Sequence, residues 1–213
     1  MSSASLQDSG STIEHMTGIV LGGGGSRRMG GRAKALLRVG DKTIIERVVS
    51  VLRSVFKDVL LISDAKKEYR FLGIPVYADL RPGIGALGGL YTGLMQCPTD
   101  YAFVVACDMP FLNAAAVRRL AEPAPGHDVV VPRIGPHLEP LHAVYARACI
   151  PHVRALIDAG GLRIFDFFAQ VDTLEVHESL FEDISPDLRF LMNVNTPEDL
   201  QYARDLAESD SIR

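Results

Sequence analysis

From residue 15 to residue 40 the chain has no Asp or Glu, yet Arg27, Arg28, Arg32, Lys34 and Arg38 all fall there. Eight of its glycines lie between Gly18 and Gly40. Glycine has no Cβ to hold a ligand away, so a Gly-rich turn lets backbone N–H groups converge on an oxyanion. Arg and Lys add charge-assisted hydrogen bonds to phosphate oxygens. The combination suits a polyphosphate. Gly30-Gly31-Arg32-Ala33-Lys34-Ala35 lacks the Gly-Lys-Ser/Thr of a P-loop. An arginine stands where the third glycine of a dinucleotide fingerprint would fall. A formal G-x-G-x-x-G occurs at Gly83, Gly85 and Gly88, but it follows Arg81-Pro82 rather than a strand and is discounted.

The acidic counterpart is Asp108, which follows the apolar run Phe103, Val104, Val105. A carboxylate at the C-terminal end of a central parallel strand stands where open α/β sheets bind ligands. Mg²⁺ takes oxygen ligands, commonly one or two carboxylates together with substrate phosphates. Asp108 is therefore the candidate metal ligand, against the plainer alternative of a helix cap near Pro110. Asp79 is the only acid from residue 74 to residue 99. It could bind a nucleotide or simply start the turn before Arg81-Pro82. Asn193 and Asn195 precede Pro197 and carry the same ambiguity between ligand contact and turn chemistry. His137 and His142 are separated by Pro140 and do not share a helix face. Cys97, Cys107 and Cys149 form no C-x-x-C, so neither a zinc site nor a disulfide frame is expected. Cys107 reads as a small buried hydrophobe, and reduced thiols suit a cytoplasmic setting.

These residues need a scaffold. The run 17–21 (TGIVL) stops at glycine and reads as a buried strand. Apolar residues at helical spacing predict a helix over 43–55, and 58–62 reads as a second strand. Helices are expected over 65–72, 87–96, 114–121, 151–159 and 198–206, and strands over 75–77, 101–107, 128–131, 141–145 and 171–177. Strands alternating with helices imply βαβ units and a mostly parallel sheet. The pattern changes after residue 131, where 141–145 is expected to pair locally. Phe165, Phe167 and Phe168 read as core. Residues 1–16 are Ser-rich and polar, without the basic start and apolar middle of a signal peptide, and are expected to be a disordered extension. The tail after Leu206 is expected to fray.

Composition narrows the partners. The 213 residues carry 22 Lys+Arg against 26 Asp+Glu, a net charge of −4. A slightly acidic chain whose acid-free basic stretch is a single glycine loop, without interleaved aromatics, is not a general nucleic-acid binder. No apolar run approaches the ~20 residues of a membrane span.

Five segments in order then resemble one family. Residues 18–34 (GIVLGGGGSRRMGGRAK) are similar to the signature L-[AG]-G-G-x-[SA]-x-R-M-G-x-D-K of the molybdenum cofactor guanylyltransferases. Asp79 with 83–90 (GIGALGGL) is similar to D-x-x-x-G-x-G-P-L-A-G-L, and 107–110 (CDMP) to C-D-x-P. Residues 140–145 (PLHAVY) resemble P-L-x-A-x-Y, and 193–200 (NVNTPEDL) resemble N-x-N-T-P-E-[DE]-L. Ala33 stands in place of the family's Asp, Ala86 in place of its proline, and Ser63-Asp64 where an Asn is common.

The resemblance implies a Rossmann-like three-layer α/β/α nucleotidyltransferase fold, mostly parallel with a local antiparallel part in the C-terminal half. It implies one domain over 17–208, with a nucleotide-binding half (about 17–131) and an acceptor half (about 132–208). It implies transfer of GMP from GTP to the terminal phosphate of Mo-molybdopterin, with release of pyrophosphate. By resemblance, Leu21, Gly22, Gly23, Gly24, Ser26, Lys34, Ser63, Asp79 and Asp108 would bind the nucleotide. Arg28, Lys34 and Asp108 would serve catalysis, with Mg²⁺ on Asp108. His142, Asn193 and Asn195 would line the acceptor side. Glycine at position 23 goes with guanine in this family. Other cofactor-biosynthesis proteins or molybdoenzyme chaperones would be further partners. The alternatives are a cytidylyltransferase on the same cofactor, a sugar-1-phosphate nucleotidyltransferase, or a non-catalytic nucleotide-binding chaperone, the last disfavoured by the presence of both Lys34 and Asp108.

Overall fold

The computed structural model describes residues 12–22 and 33–211. Its main sheet contains β1 (Ile13–Leu21), β4 (Phe56–Ile62), β5 (Val76–Tyr77), β6 (Tyr101–Ala106), β7 (Val129–Ile134), β8 (His137–Leu138), β9 (His142–Ala146) and β10 (Thr173–His177). The strands β2 (Arg38–Val39) and β3 (Lys42–Thr43) form a separate small hairpin. The described residues form five helices, of which the first four flank the main sheet: α1 (Ile44–Val55), α2 (Ala86–Gln96), α3 (Ala114–Ala121), α4 (Ile150–Asp158) and α5 (Pro197–Ser211).

The strand order is β10-β7-β9-β6-β1-β4-β5, with β8 paired to β7. β1 lies parallel to both β4 and β6. β9 runs antiparallel between β6 and β7, which accounts for the change of pattern after residue 131. The chain first grows from β1 toward β5 and then returns to place β6 on β1's other side. The crevice outside the carboxyl ends of β1 and β6 is thus the switch point of the sheet.

Alternation along the strands splits the core into two apolar layers. Met16, Val20, Phe103 and Val105 pack with Ile45, Val48 and Leu52 of α1 and Val117 and Leu120 of α3. Ile19, Leu21, Ala102 and Val104 pack with Leu87, Leu90 and Leu94 of α2 and Val153 and Ile157 of α4. The result is three layers, α/β/α. The small residues of α2 let it sit close to β1. A Cβ on Gly93 would lie 3.0 Å from Ile19 Cγ2. α1 is started by a capping box in which Glu46 N–H donates to Thr43 Oγ1 (3.3 Å) and Thr43 N–H donates to Glu46 Oε2 (2.7 Å). A third apolar cluster, with Val39, Ile44, Phe111, Val194, Leu200 and Ala203, seats α5 against the β2–β3 hairpin.

Four expectations are corrected. The first strand begins at Ile13 rather than at 17, because Met16 is already fully buried in the core; residues 1–11 lie outside the described residues. The helix expected over 65–72 is a set of turns with one short 3₁₀ turn at Arg70–Leu72. Only Tyr69 and Leu72 of that stretch are buried, which is too little to hold an amphipathic stripe. α5 continues past Leu206 to Ser211, held by buried Ala207 and by Arg189 Nη1 donating to Asp210. Phe165 is 43% exposed beneath the Arg163 guanidinium, while Phe167 and Phe168 are buried as expected. No helix of the described residues is long and apolar enough to cross a membrane.

Candidate functional site

The carboxyl ends of β1, β4 and β6 are joined by backbone hydrogen bonds. Gly22 N–H donates to Ile62 O at 2.9 Å, and Cys107 N–H donates to Leu21 O at 3.2 Å. A Cβ on Gly22 would stand 3.0 Å from Leu61 Cδ1, so any larger residue there would have to push the Leu61 side chain aside. Ser63, nearly buried just after β4, donates to Gly22 O at 3.4 Å and accepts Ala65 N–H at 3.2 Å. The predicted residues Leu21, Gly22 and Ser63 thus form one floor.

Lys34 opens a 3₁₀ turn (Lys34–Leu36) anchored by buried Ala35. Its Nζ donates to Asn195 Oδ1 at 3.0 Å. Asp108 lies beyond β6, and its carbonyl accepts Val194 N–H at 2.9 Å. The segment 193–199 therefore crosses from the Asp108 backbone to the Lys34 side chain. Arg47 of α1 braces the same region, donating from Nε to Pro110 O (2.9 Å) and from Nη1 to Val39 O (3.2 Å).

Burial pushes the Asp108 carboxyl above the ordinary carboxylate value, and its own backbone N–H and the Lys34 charge pull it back. Burial, followed by the charge of Asp108, pushes the Cys107 thiol up to about 12, so Cys107 is an inert neighbour. Among the described residues no three His, Cys, Asp or Glu side chains gather as a metal cage. One carboxylate beside a lysine fits a cation shared with substrate phosphates, not a structural metal.

Asp79 starts the turn before Arg81-Pro82, the plainer of its two readings. Its Oδ1 accepts Arg81 N–H at 2.9 Å, which is the turn-starting bond, and stands 2.7 Å from the Thr92 hydroxyl. Its own N–H donates to Asp64 Oδ1 at 3.1 Å. Oδ2 makes no hydrogen bond to a described residue, and Gly88 leaves room beside it: a Cβ there would be 3.1 Å from Oδ2. Asn193 donates to Leu191 O at 3.1 Å, which is turn chemistry, and its Oδ1 accepts no hydrogen bond from a described residue.

His142 is corrected. Its side chain is fully buried, with ring centroids 5.1 Å from both Phe103 and Phe190, and neither nitrogen has a hydrogen-bond partner among the described residues. Burial lowers its pKa to about 3. It is a neutral core residue on β9, not an acceptor contact. Gly23, Gly24, Ser26 and Arg28 lie outside the described residues.

Sequence reasoning missed three contributors. Buried Thr92 holds Asp79 from α2 and accepts Leu80 N–H at 2.9 Å, and no local motif signals a contact made across a turn. Asp199 caps the Asn195–Thr196 turn, which the pattern Thr-Pro-Glu-Asp could have shown. Glu139 has its carboxyl raised by burial and makes no side-chain hydrogen bond or ion pair among the described residues. It stands at the ligand edge of the sheet, where its N–H donates to Pro132 O at 3.0 Å. A separate cavity of 510 Å³ opens by Lys42, Arg47, Phe111 and Arg189, and none of the predicted site residues lines it.

Residues 18–173 match the family model for the MobA-like NTP transferase domain. A protein of Pelotomaculum thermopropionicum named "Probable molybdenum cofactor guanylyltransferase" is 40% identical over 91% of this chain and 94% of its own length. A molybdenum cofactor guanylyltransferase of Desulfosudis oleivorans is 34% identical over 90% of this chain and 95% of its own. Among solved structures, molybdopterin-guanine dinucleotide biosynthesis protein A from Archaeoglobus fulgidus superposes with a TM-score of 0.78 at 24% identity, covering 91% of this chain and 99% of that one.

Proposed function

The chain belongs to the MobA-like NTP transferase family, and from that premise we propose that it transfers GMP from GTP to the terminal phosphate of Mo-molybdopterin. It is a nucleotidyltransferase, a molybdenum cofactor guanylyltransferase. In the reaction an oxygen of the acceptor phosphate bonds to the α-phosphorus of GTP. The bond from that phosphorus to the α–β bridging oxygen breaks, and pyrophosphate leaves with the electron pair.

Such a transfer needs positioning and neutralisation of phosphate charge rather than covalent help from the protein. The observation that carries the reading is the convergence of Lys34, Asp108 and Asn195 at the switch point of the sheet. Lys34 neutralises charge on the α-phosphate and the departing pyrophosphate. Leu21, Gly22, Ser63 and Asp79 form the nucleotide side. The leftover Oδ2 of Asp79 suits N–H or O–H donors of a base or ribose. Gly23, Gly24, Ser26 and Arg28 complete the triphosphate cradle in this proposal, with Gly23 leaving room for guanine. Asn193 and Asn195 face the acceptor. Mg²⁺ would be held by Asp108 and substrate phosphates, and would supply charge stabilisation.

One domain spans about 13–211, slightly longer at both ends than the expected 17–208, with the nucleotide half ending near residue 131 and the acceptor half following. Three free cysteines suit the reducing cytoplasm. The product is a cofactor used by other proteins, so onward carriers are its natural protein partners. The test is incubation with GTP, Mg²⁺ and molybdenum cofactor. Appearance of the guanine dinucleotide together with pyrophosphate supports the reading, and consumption of neither substrate overturns it.

A further inference from the structure

The Lys34–Asn195 bond depends on a residue that touches neither the nucleotide floor nor Asp108. Asp199, in the first turn of α5, uses one oxygen, Oδ2, to accept both Asn195 N–H and Thr196 N–H, each at 2.8 Å. In return Asp199 N–H donates to Thr196 Oγ1 at 3.1 Å. The turn is thus closed from both directions, as in a capping box. The next residue back, Val194, is fully buried and donates its N–H to Asp108 O. Asn195 is therefore held on one side by the Asp108 backbone and on the other by the Asp199 carboxylate. Asn195 is exposed, and the turn that carries it is also tied to α5 by Leu200 N–H donating to Thr196 O at 3.1 Å.

We propose that Asp199 is a positioning residue for nucleotidyl transfer, fixing the Asn195 turn so that the Asn195 amide oxygen aims the Lys34 ammonium at the reacting phosphate. The two N–H bonds, and after them the Thr196 side chain and the Lys34 charge, hold the Asp199 carboxyl below its ordinary value. A lysine on a four-carbon stem has many rotamers, and an oriented partner selects one of them before substrate arrives. The inference rests on the guanylyltransferase reading above.

The test is a set of variants assayed for pyrophosphate release from GTP and molybdenum cofactor. Asp199→Ala is expected to lower kcat about tenfold or more while KM for GTP changes by less than about threefold, since orientation rather than binding is lost. Asp199→Asn keeps one amide oxygen able to accept both N–H groups and is expected to restore most of the rate. Thr196→Ala weakens the same cap without releasing Asn195 and is expected to keep near-normal kcat. In an Asn195→Ala background, Asp199→Ala is expected to add no further loss. Full activity of Asp199→Ala, an equal loss in Thr196→Ala, or an undiminished loss in the Asn195→Ala background overturns the proposal. A wild-type chain that releases no pyrophosphate overturns the guanylyltransferase reading and this proposal with it.

Discussion

Lys34 Nζ and Asn195 Oδ1 stand 3.0 Å apart although 161 positions separate them in the chain. The bond joins the segment after the first glycine loop to the segment before the last helix. It brings a cation from the nucleotide half to the edge of the acceptor half. Lys34→Ala is expected to lower kcat by about a hundredfold or more, as removal of a group aimed at developing charge does. Asn195→Ala should cost less, because it leaves the charge in place and loses only its aim. Steady-state pyrophosphate release measures both, and a Lys34→Ala enzyme of near-normal kcat would contradict the assignment.

Asp108→Asn keeps size and shape but removes the charge that a cation needs. Activity should fall by about a thousandfold or more at any Mg²⁺ concentration. The unfolding midpoint should not fall, because an ionised half-buried carboxylate is replaced by a neutral amide. Circular dichroism melts alongside activity separate the two effects. Recovery of activity at high Mg²⁺ would show that Asp108 is not the principal ligand.

Gly88 makes the Asp79 turn sensitive to a single methyl group. A Cβ there would sit 2.7 Å from Arg81 O and 3.1 Å from Asp79 Oδ2. Gly88→Ala should destabilise the fold by about 1–3 kcal/mol through overpacking against backbone. It should also raise KM for GTP, because the displaced atoms belong to the proposed nucleotide side. Urea unfolding and a GTP titration check the two halves of the prediction, and an unchanged KM would remove Asp79 from that side.

Much of the fold was legible because its periods are clean. The apolar stripe of α1 and the runs of β1, β4 and β6 follow from residue spacing, while the antiparallel insertion of β9 between β6 and β7 was expected only as a local pairing. The helix expected over 65–72 failed because a charged stretch with only two buried side chains can turn without continuing. At the site, Lys34, Asp108 and Asn195 were singled out by type and motif, but their convergence depends on α5 docking on the β2–β3 hairpin, which is tertiary. His142 was misplaced for the opposite reason. Its motif lies at the ligand edge, but alternation along β9 turns its ring into the core, between Phe103 and Phe190.

That buried imidazole has a consequence for acid stability. Its folded pKa is about 3, below its ordinary value of 6.5, so the unfolded chain takes up the proton first as pH falls. The contribution is fully present above 6.5 and is lost progressively toward 3. Relative to a pH well above 6.5, the loss should reach about 2 kcal/mol by pH 5. His142→Leu should flatten the stability profile over that interval in urea unfolding at stepped pH. An unchanged slope would place the acid sensitivity elsewhere.

The central claim is nucleotide choice in a transfer reaction, and one competition measures it. Purified protein is given molybdenum cofactor, Mg²⁺ and equal GTP, CTP, UTP and ATP, and the dinucleotide product is identified by mass as pyrophosphate appears. The account predicts that the guanine dinucleotide forms first and in excess. A cytosine dinucleotide in excess, or pyrophosphate release that requires a sugar 1-phosphate instead of the pterin, would contradict it.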